Sequence, residues 1–130
     1  MNTSLLNPRL NLETGSLSIA IPGDILSTNA DSLREDLFGV LESEPMQSAG
    51  WKTLELDLTQ ARMIDSVGLN LIVSVVRMVK ARQGAVVANV RSSNIYRTFT
   101  FTRLDKQMTV IRAEAPAPAD ELMLIPSLAR

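Results

Sequence analysis

Apolar and polar residues alternate near the start of the chain. Leu10 and Leu12, then Leu17, Ile19 and Ile21, occupy every second position, with Thr14-Gly15-Ser16 between them. That pattern predicts two half-buried strands joined in a hairpin by a short glycine-containing loop. From about Asn29 to Ser43 the period changes: Leu33, Leu37 and Val40 or Leu41 recur at helical spacing, with Arg34, Glu35, Asp36 and Glu42 mostly on the other face. Ser27-Thr28-Asn29 are capping types, and Asp31 stands three residues after Thr28 as in a capping box. Pro45 to Gly50 reads as a loop.

Leu54, Leu56 and Leu58 alternate with Glu55 and Asp57, predicting a third strand. Asp65-Ser66 opens a second helix reaching about Arg82, where Lys80 and Arg82 complement the helix dipole and Gly84 supplies a stop. Ala85 to Val90 is nearly all apolar, which predicts a strand covered on both faces. Residues 91–104 carry two periods. Thr98-Phe99-Thr100-Phe101-Thr102 alternates like a strand, whereas Ile95 with Phe99, and Phe101 with Leu104, sit at helical spacing; propensity by itself favours strand. Met108, Val110 and Ile111 predict a last strand. Strands alternating with helices imply one α/β domain over residues 1–112, with parallel pairings behind the hairpin and helices packed on a mixed sheet. Ala115-Pro116-Ala117-Pro118-Ala119 then reads as a stiff linker, so residues 113–130 are expected to form a linker and a short apolar tail (Leu122, Met123, Leu124, Ile125, Leu128).

On the second helix, 100° per residue places Leu69, Ile72, Val73, Val76 and Val79 in one apolar stripe suited to the sheet. Val67, Leu71, Val75 and Met78 make a second stripe. Either neighbouring helices cover it or it is a partner-binding face.

Composition narrows the chemistry. A chain of 130 residues with 45% apolar and 21% charged residues matches one ordinary globular domain. It has neither histidine nor cysteine, which excludes thiol catalysis, disulfides, imidazole acid–base work and zinc sites that need either residue. No metal or cofactor is therefore expected. The absent thiols, and the lack of a leader pattern or membrane-length apolar run, lead us to expect a cytoplasmic protein without a membrane span. The net charge of −1 hides a division: eight acids against two bases from Asp24 to Asp57, and eight bases against one acid from Arg77 to Arg112. Eight bases spread over that length read as a solvated face rather than a nucleic-acid footprint.

The densest signal is Met63-Ile64-Asp65-Ser66-Val67-Gly68-Leu69 directly after the Leu54–Leu58 strand. Asp or Ser before an apolar helix is sufficient as a cap. The same arrangement sets a hydroxyl at the positive end of a helix, where an added phosphate is tolerated, and Gly68 lets another molecule's backbone come close. A serine nucleophile would need a base, and there is no histidine to supply one; a Gly-x4-Gly-Lys-[Ser/Thr] loop is absent too.

Ile64-Asp65-Ser66-Val67-Gly68-Leu69-Asn70 resembles the signature Asp-Ser-[Ser/Thr]-Gly-Leu-Gly of the STAS domain (sulfate transporter and anti-sigma factor antagonist), and within it the small bacterial anti-sigma factor antagonists. The order of elements extends the resemblance over roughly residues 10–112. It implies a STAS-like fold with a short helix where Asn94 to Phe101 falls. It further implies a non-enzymatic, partner-switching regulator of transcription, phosphorylated on Ser66 beside Asp65. The implied partners are a serine kinase of the histidine-kinase-like ATPase type that doubles as the anti-sigma factor, and a PP2C-type phosphatase. Asp65, Val67, Gly68, Leu71, Val75, Met78 and Asp24 are the expected partner contacts. The implied alternative is an unphosphorylated STAS adaptor subunit of a transporter or signalling complex. Val67 and Asn70 depart from the signature. In the family's Gly-x-Leu-Asp, here Gly23-Asp24-Ile25-Leu26, leucine stands in the place of the acid and Asp24 lies two residues away.

Overall fold

The structure is a computed structural model that describes residues 6–113. Its elements are β1 (Arg9–Asn11), β2 (Ser16–Ala20), α1 (Ala30–Leu41), α2 (Glu44–Ser48), β3 (Thr53–Leu58), α3 (Ser66–Ala81), β4 (Ala85–Val90), α4 (Ser93–Phe101) and β5 (Thr109–Arg112), with a 3-10 turn at Leu104–Lys106 between α4 and β5. The expected linker and apolar tail lie outside the described residues.

The five strands form one sheet in chain order, β1 antiparallel to β2 and each later pair parallel. A parallel sheet whose order never reverses, built with right-handed crossovers, carries its helices on one side. Burial follows: Leu17, Ile19, Leu54, Leu56, Leu58, Val86, Ala88 and Val90 are all but inaccessible, whereas Ser18, Glu55, Asp57 and Asn89 on the opposite face are half-buried. The expectation that β4 is covered on both faces is corrected by this pattern, since Ala85 is exposed and Val87 and Asn89 are half-buried.

Two local features also depart from expectation, and a third follows the family resemblance rather than strand propensity. Pro45 lies in the first turn of a short helix, α2, rather than in a loop, because proline is compatible with a first helical turn, where no N–H is required. No capping box forms on α1: Asn29 is the N-cap residue, but its side chain accepts from the Leu26 N–H (2.9 Å) and donates to the Asp24 carbonyl (2.8 Å). The segment after β4 is helix α4, capped by Ser92, whose hydroxyl accepts from the N–H groups of Asn94 and Ile95. Here the helical spacing prevails over strand propensity. Ile95 and Phe99, four apart, are fully buried, while Phe101, which strand alternation would place beside Phe99, is 87% exposed.

Helix α3 buries Gly68, Leu71, Ile72, Val75, Val76 and Val79, a single face at spacings of three and four. Apart from the exposed Val67, the two expected stripes merge into this one face, with Leu69, Val73 and Met78 partly buried against the core at its margins. Helix α1 packs along α3, and the Arg34 guanidinium donates to the Ser74 hydroxyl. At its C-terminal end Gln83 takes the left-handed conformation (φ 65°), and the Gly84 and Gln83 N–H groups donate to the carbonyls of Val79 and Lys80. Gly84 is needed at the next position because a Cβ there would sit 2.6 Å from the Lys52 carbonyl oxygen.

Candidate functional site

Past Leu58, residues 59–65 carry the chain from β3 to α3 alongside the loop that joins β2 to α1. Ile25 and Ile64 form an isolated parallel bridge, the Ile25 N–H donating to Met63 (3.1 Å) and the Asp65 N–H to Ile25 (3.2 Å). Two carboxylates fasten these segments together. Asp24 Oδ1 accepts from the N–H groups of Arg62 (2.8 Å) and Met63 (3.1 Å). Asp65 accepts from Gly68 through Oδ1 and from Ser27 through Oδ2, both at 2.8 Å. Asp65 is therefore at once the N-cap of α3 and the tie to the other loop. The Gly68 N–H above all, then the Ser27 N–H, favour the charged carboxylate over its partial desolvation and hold its pKa below the ordinary 3.8.

The closeness of the segments dictates a glycine. A Cβ on Gly68 would lie 2.1 Å from the Ile25 carbonyl oxygen. The backbone that Gly68 admits thus belongs to its own chain, and the residue is buried; the expectation that it receives another molecule's backbone is corrected.

Ser66 is the first residue of α3 and is exposed. Capping falls to Asp65, and among the described residues the Ser66 hydroxyl has no hydrogen-bond partner. It stands at the positive end of a sixteen-residue helix. On either side lie two exposed apolar side chains, Met63 (52%) and Val67 (44%).

The structure thus brings Asp24, Asp65, Ser66, Val67 and Gly68 into one place. It does not bring Leu71, Val75 and Met78 there. Leu71 and Val75 are buried under the packing of α1 and α3, so their assignment to a partner surface is corrected. Met78 is half-buried at the core margin, and its distance from Ser66, twelve residues and about 18 Å along the helix, sets it apart from the site. Ser27 and Met63 are not among the expected partner contacts. Ser27 contributes through its main chain, which carries no sequence signature, whereas Met63 follows Arg62 in a polar loop and could have been found as an apolar residue without a periodic partner.

Among the described residues no group of three or more Asp or Glu side chains is placed to hold a metal ion, and no helix is long and apolar enough to cross a membrane.

The STAS domain family model matches residues 7–117. No protein of curated function is matched significantly in sequence. Among solved structures, a Thermotoga maritima protein assigned as an anti-sigma factor antagonist is 15% identical, with 85% of this chain and 89% of that one covered and a TM-score of 0.70. Bacillus SpoIIAA, an anti-sigma factor antagonist, matches in its unphosphorylated form at 16% identity, 83% and 86% coverage and a TM-score of 0.56. It matches in its phosphorylated form as well, at a TM-score of 0.54. A sulfate transporter family protein from Wolinella succinogenes is 16% identical over 79% of this chain and 80% of that one, with a TM-score of 0.63. These likenesses establish the fold, and with the family match over most of its length the chain belongs to the STAS domain family.

Proposed function

We propose that this protein is an anti-sigma factor antagonist-type switch that docks on a serine kinase and is controlled by phosphorylation of Ser66. The observation that carries this reading is the exposed Ser66 hydroxyl, left without a partner because Asp65 takes the capping bonds. Met63 and Val67 beside it supply exposed apolar area of the kind found at the centres of protein interfaces. Likeness to SpoIIAA in both its unphosphorylated and phosphorylated forms supports the same reading.

The mechanism is electrostatic rather than conformational. A phosphate on Ser66 adds about −1.5 to −2 charges at a helix end that tolerates them, so the fold is retained. In the docked complex the same dianion is desolvated against the partner, and an uncompensated charge there costs several kcal/mol. A loss of ~4 kcal/mol is roughly a thousandfold in affinity, enough for a switch. In this reading the chain is the substrate of the transfer, with the Ser66 hydroxyl as the acceptor. A PP2C-type phosphatase would reverse the modification.

Co-expression with the candidate kinase followed by intact-mass measurement tests the proposal. One added phosphate, absent in Ser66→Ala, is expected. Phosphate on Ser74 or Thr59 instead, or tight kinase binding with no transfer to any serine, refutes it; the latter result favours the unphosphorylated adaptor.

A further inference from the structure

Beyond the C-terminal ends of β3 and β4, at Leu58 and Val90, lies a hollow of about 390 Å³ lined by Thr59, Gln60, Ala61, Arg62, Arg91 and Ser92. Two of the six lining residues are arginines and none is an acid, in a protein whose net charge is −1.

We propose that this hollow is a binding site for the phosphoryl group of a small monoester, clasped between the guanidinium groups of Arg62 and Arg91. Arg62 is held by its main chain from both sides: its N–H donates to Asp24 Oδ1 (2.8 Å) and its carbonyl accepts from the Ser92 hydroxyl (2.9 Å). Its side chain is exposed. Among the described residues the arginine side chains engaged in hydrogen bonds are those of Arg34, Arg82 and Arg112, so neither Arg62 nor Arg91 spends a guanidinium donor on another described residue. The Ser92 bond also ties the β3–α3 loop to the N-terminus of α4, which fixes the rim before any ligand arrives and lowers the ordering cost of binding.

The charge of the site selects the ligand. Two guanidinium groups on one hollow repel each other, and a bridging anion turns that repulsion into attraction. Guanidinium forks match the oxygens of a phosphoryl group in pairs, and the nine-residue helix α4 directs its positive end to the same rim through Ser92. A monoester carries about −1.5 to −2 charges, against one for a carboxylate. The hydroxyl protons of Thr59 and Ser92 are already committed, to Asp57 Oδ1 (2.6 Å) and to the Arg62 carbonyl, so the arginines and the Gln60 amide remain as donors. The volume, at the lower end of the roughly 300–1,000 Å³ of ligand pockets, leaves room for a small ester body and not for a large cofactor.

The site does not depend on modification of Ser66. The test is an NMR titration of the full chain with inorganic phosphate, glycerol phosphate and a phosphoseryl tripeptide at constant ionic strength, repeated in Ser66→Ala. Saturable shifts centred on Arg62, Arg91, Ser92 and Ser93, unchanged in Ser66→Ala, are expected. Arg62→Gln or Arg91→Gln should weaken binding at least ~10-fold, while Arg97→Gln on the exposed face of α4 leaves it unchanged. Tighter binding of glycerol phosphate assigns the site to a free metabolite, and tighter binding of the peptide to a phosphorylated polypeptide. Shifts that grow linearly, spread over all basic residues, or persist in both Gln variants overturn the proposal.

Discussion

The same substitution, glycine to alanine, should have opposite effects at two helical positions of this protein. Gly39 lies inside α1, is exposed, and has nothing within 4 Å of the place a Cβ would take. There alanine brings only its better helix propensity, so Gly39→Ala should stabilise by ~0.5–1 kcal/mol. Gly68 receives the same benefit, but its Cβ would stand 2.1 Å from the Ile25 carbonyl oxygen, where contacts below 3.0 Å essentially never occur. The two backbones must part by about 0.9 Å, the difference between those distances. That displacement stretches the Asp65 N–H bond to the same carbonyl, already 3.2 Å long, past the hydrogen-bonding range. Overpacking costs ~1–3 kcal/mol and the lost bond ~1 kcal/mol; after the propensity gain of ~1 kcal/mol a net loss of ~1–3 kcal/mol remains. Urea unfolding followed by the fluorescence of the single tryptophan, Trp51, fully buried under the Arg82 guanidinium, measures both variants in one assay. A Gly68→Ala protein as stable as wild type would refute the claim that this glycine exists to let α3 meet the Ile25 backbone.

Four further outcomes follow from the same geometry. Because the Asp65 carboxyl is held below 3.8 in the folded state, the stability it contributes is complete above that pH and is lost as pH falls through the lower folded value; Asp65→Asn should flatten this part of the acid-unfolding curve, and an unchanged curve would deny the carboxylate its bonds to Gly68 and Ser27. Leu71→Ala should destabilise by ~2–5 kcal/mol in urea, as expected of a residue 1% exposed, and a variant of wild-type stability with a kinase-binding defect would return Leu71 to the surface. Arg82→Met removes both the stacking on Trp51, 3.8 Å from guanidinium carbon to ring centre, and the 3.1 Å bond to the Trp51 carbonyl, and should lower the unfolding free energy by ~1–3 kcal/mol with a changed Trp51 emission. Ser66→Asp should stay within ~1 kcal/mol of wild type while weakening partner binding, and a larger loss of stability would make the serine structural.

The sequence disclosed most where one period stood alone. Strand β3 and helix α3 carry uninterrupted patterns of two and of three and four, and both lie within a residue of expectation. It misled where two physical demands share a segment. In β4 the apolar run reflects strand propensity on a half-open face rather than double coverage, because all the helices fall on one side of the sheet. In residues 93–101 the alternating Thr and Phe obscured, to propensity, a short helix that the family resemblance implied and whose only buried anchors are Ile95 and Phe99. On α3 an apolar arc spread around much of the helix could be split into two faces on paper; only the position of α1 shows that Leu71 and Val75 belong to its centre.

The site was legible to a different depth. Asp65, Ser66 and Gly68 are adjacent in sequence, so their shared place needed no fold; what the tetrapeptide could not reveal is the division of labour among them. Asp65 satisfies the helix end and the opposing loop, and Gly68 permits the contact that brings this loop in. Both are thereby tied to folding, and substituting either disturbs the scaffold before it disturbs any partner. Ser66, standing between them, is relieved of both duties, and its side chain can gain or lose a charged group without breaking a bond that the fold requires. A modification acting through Ser66 would therefore be read by whatever docks on Met63 and Val67, and not by the core beneath them.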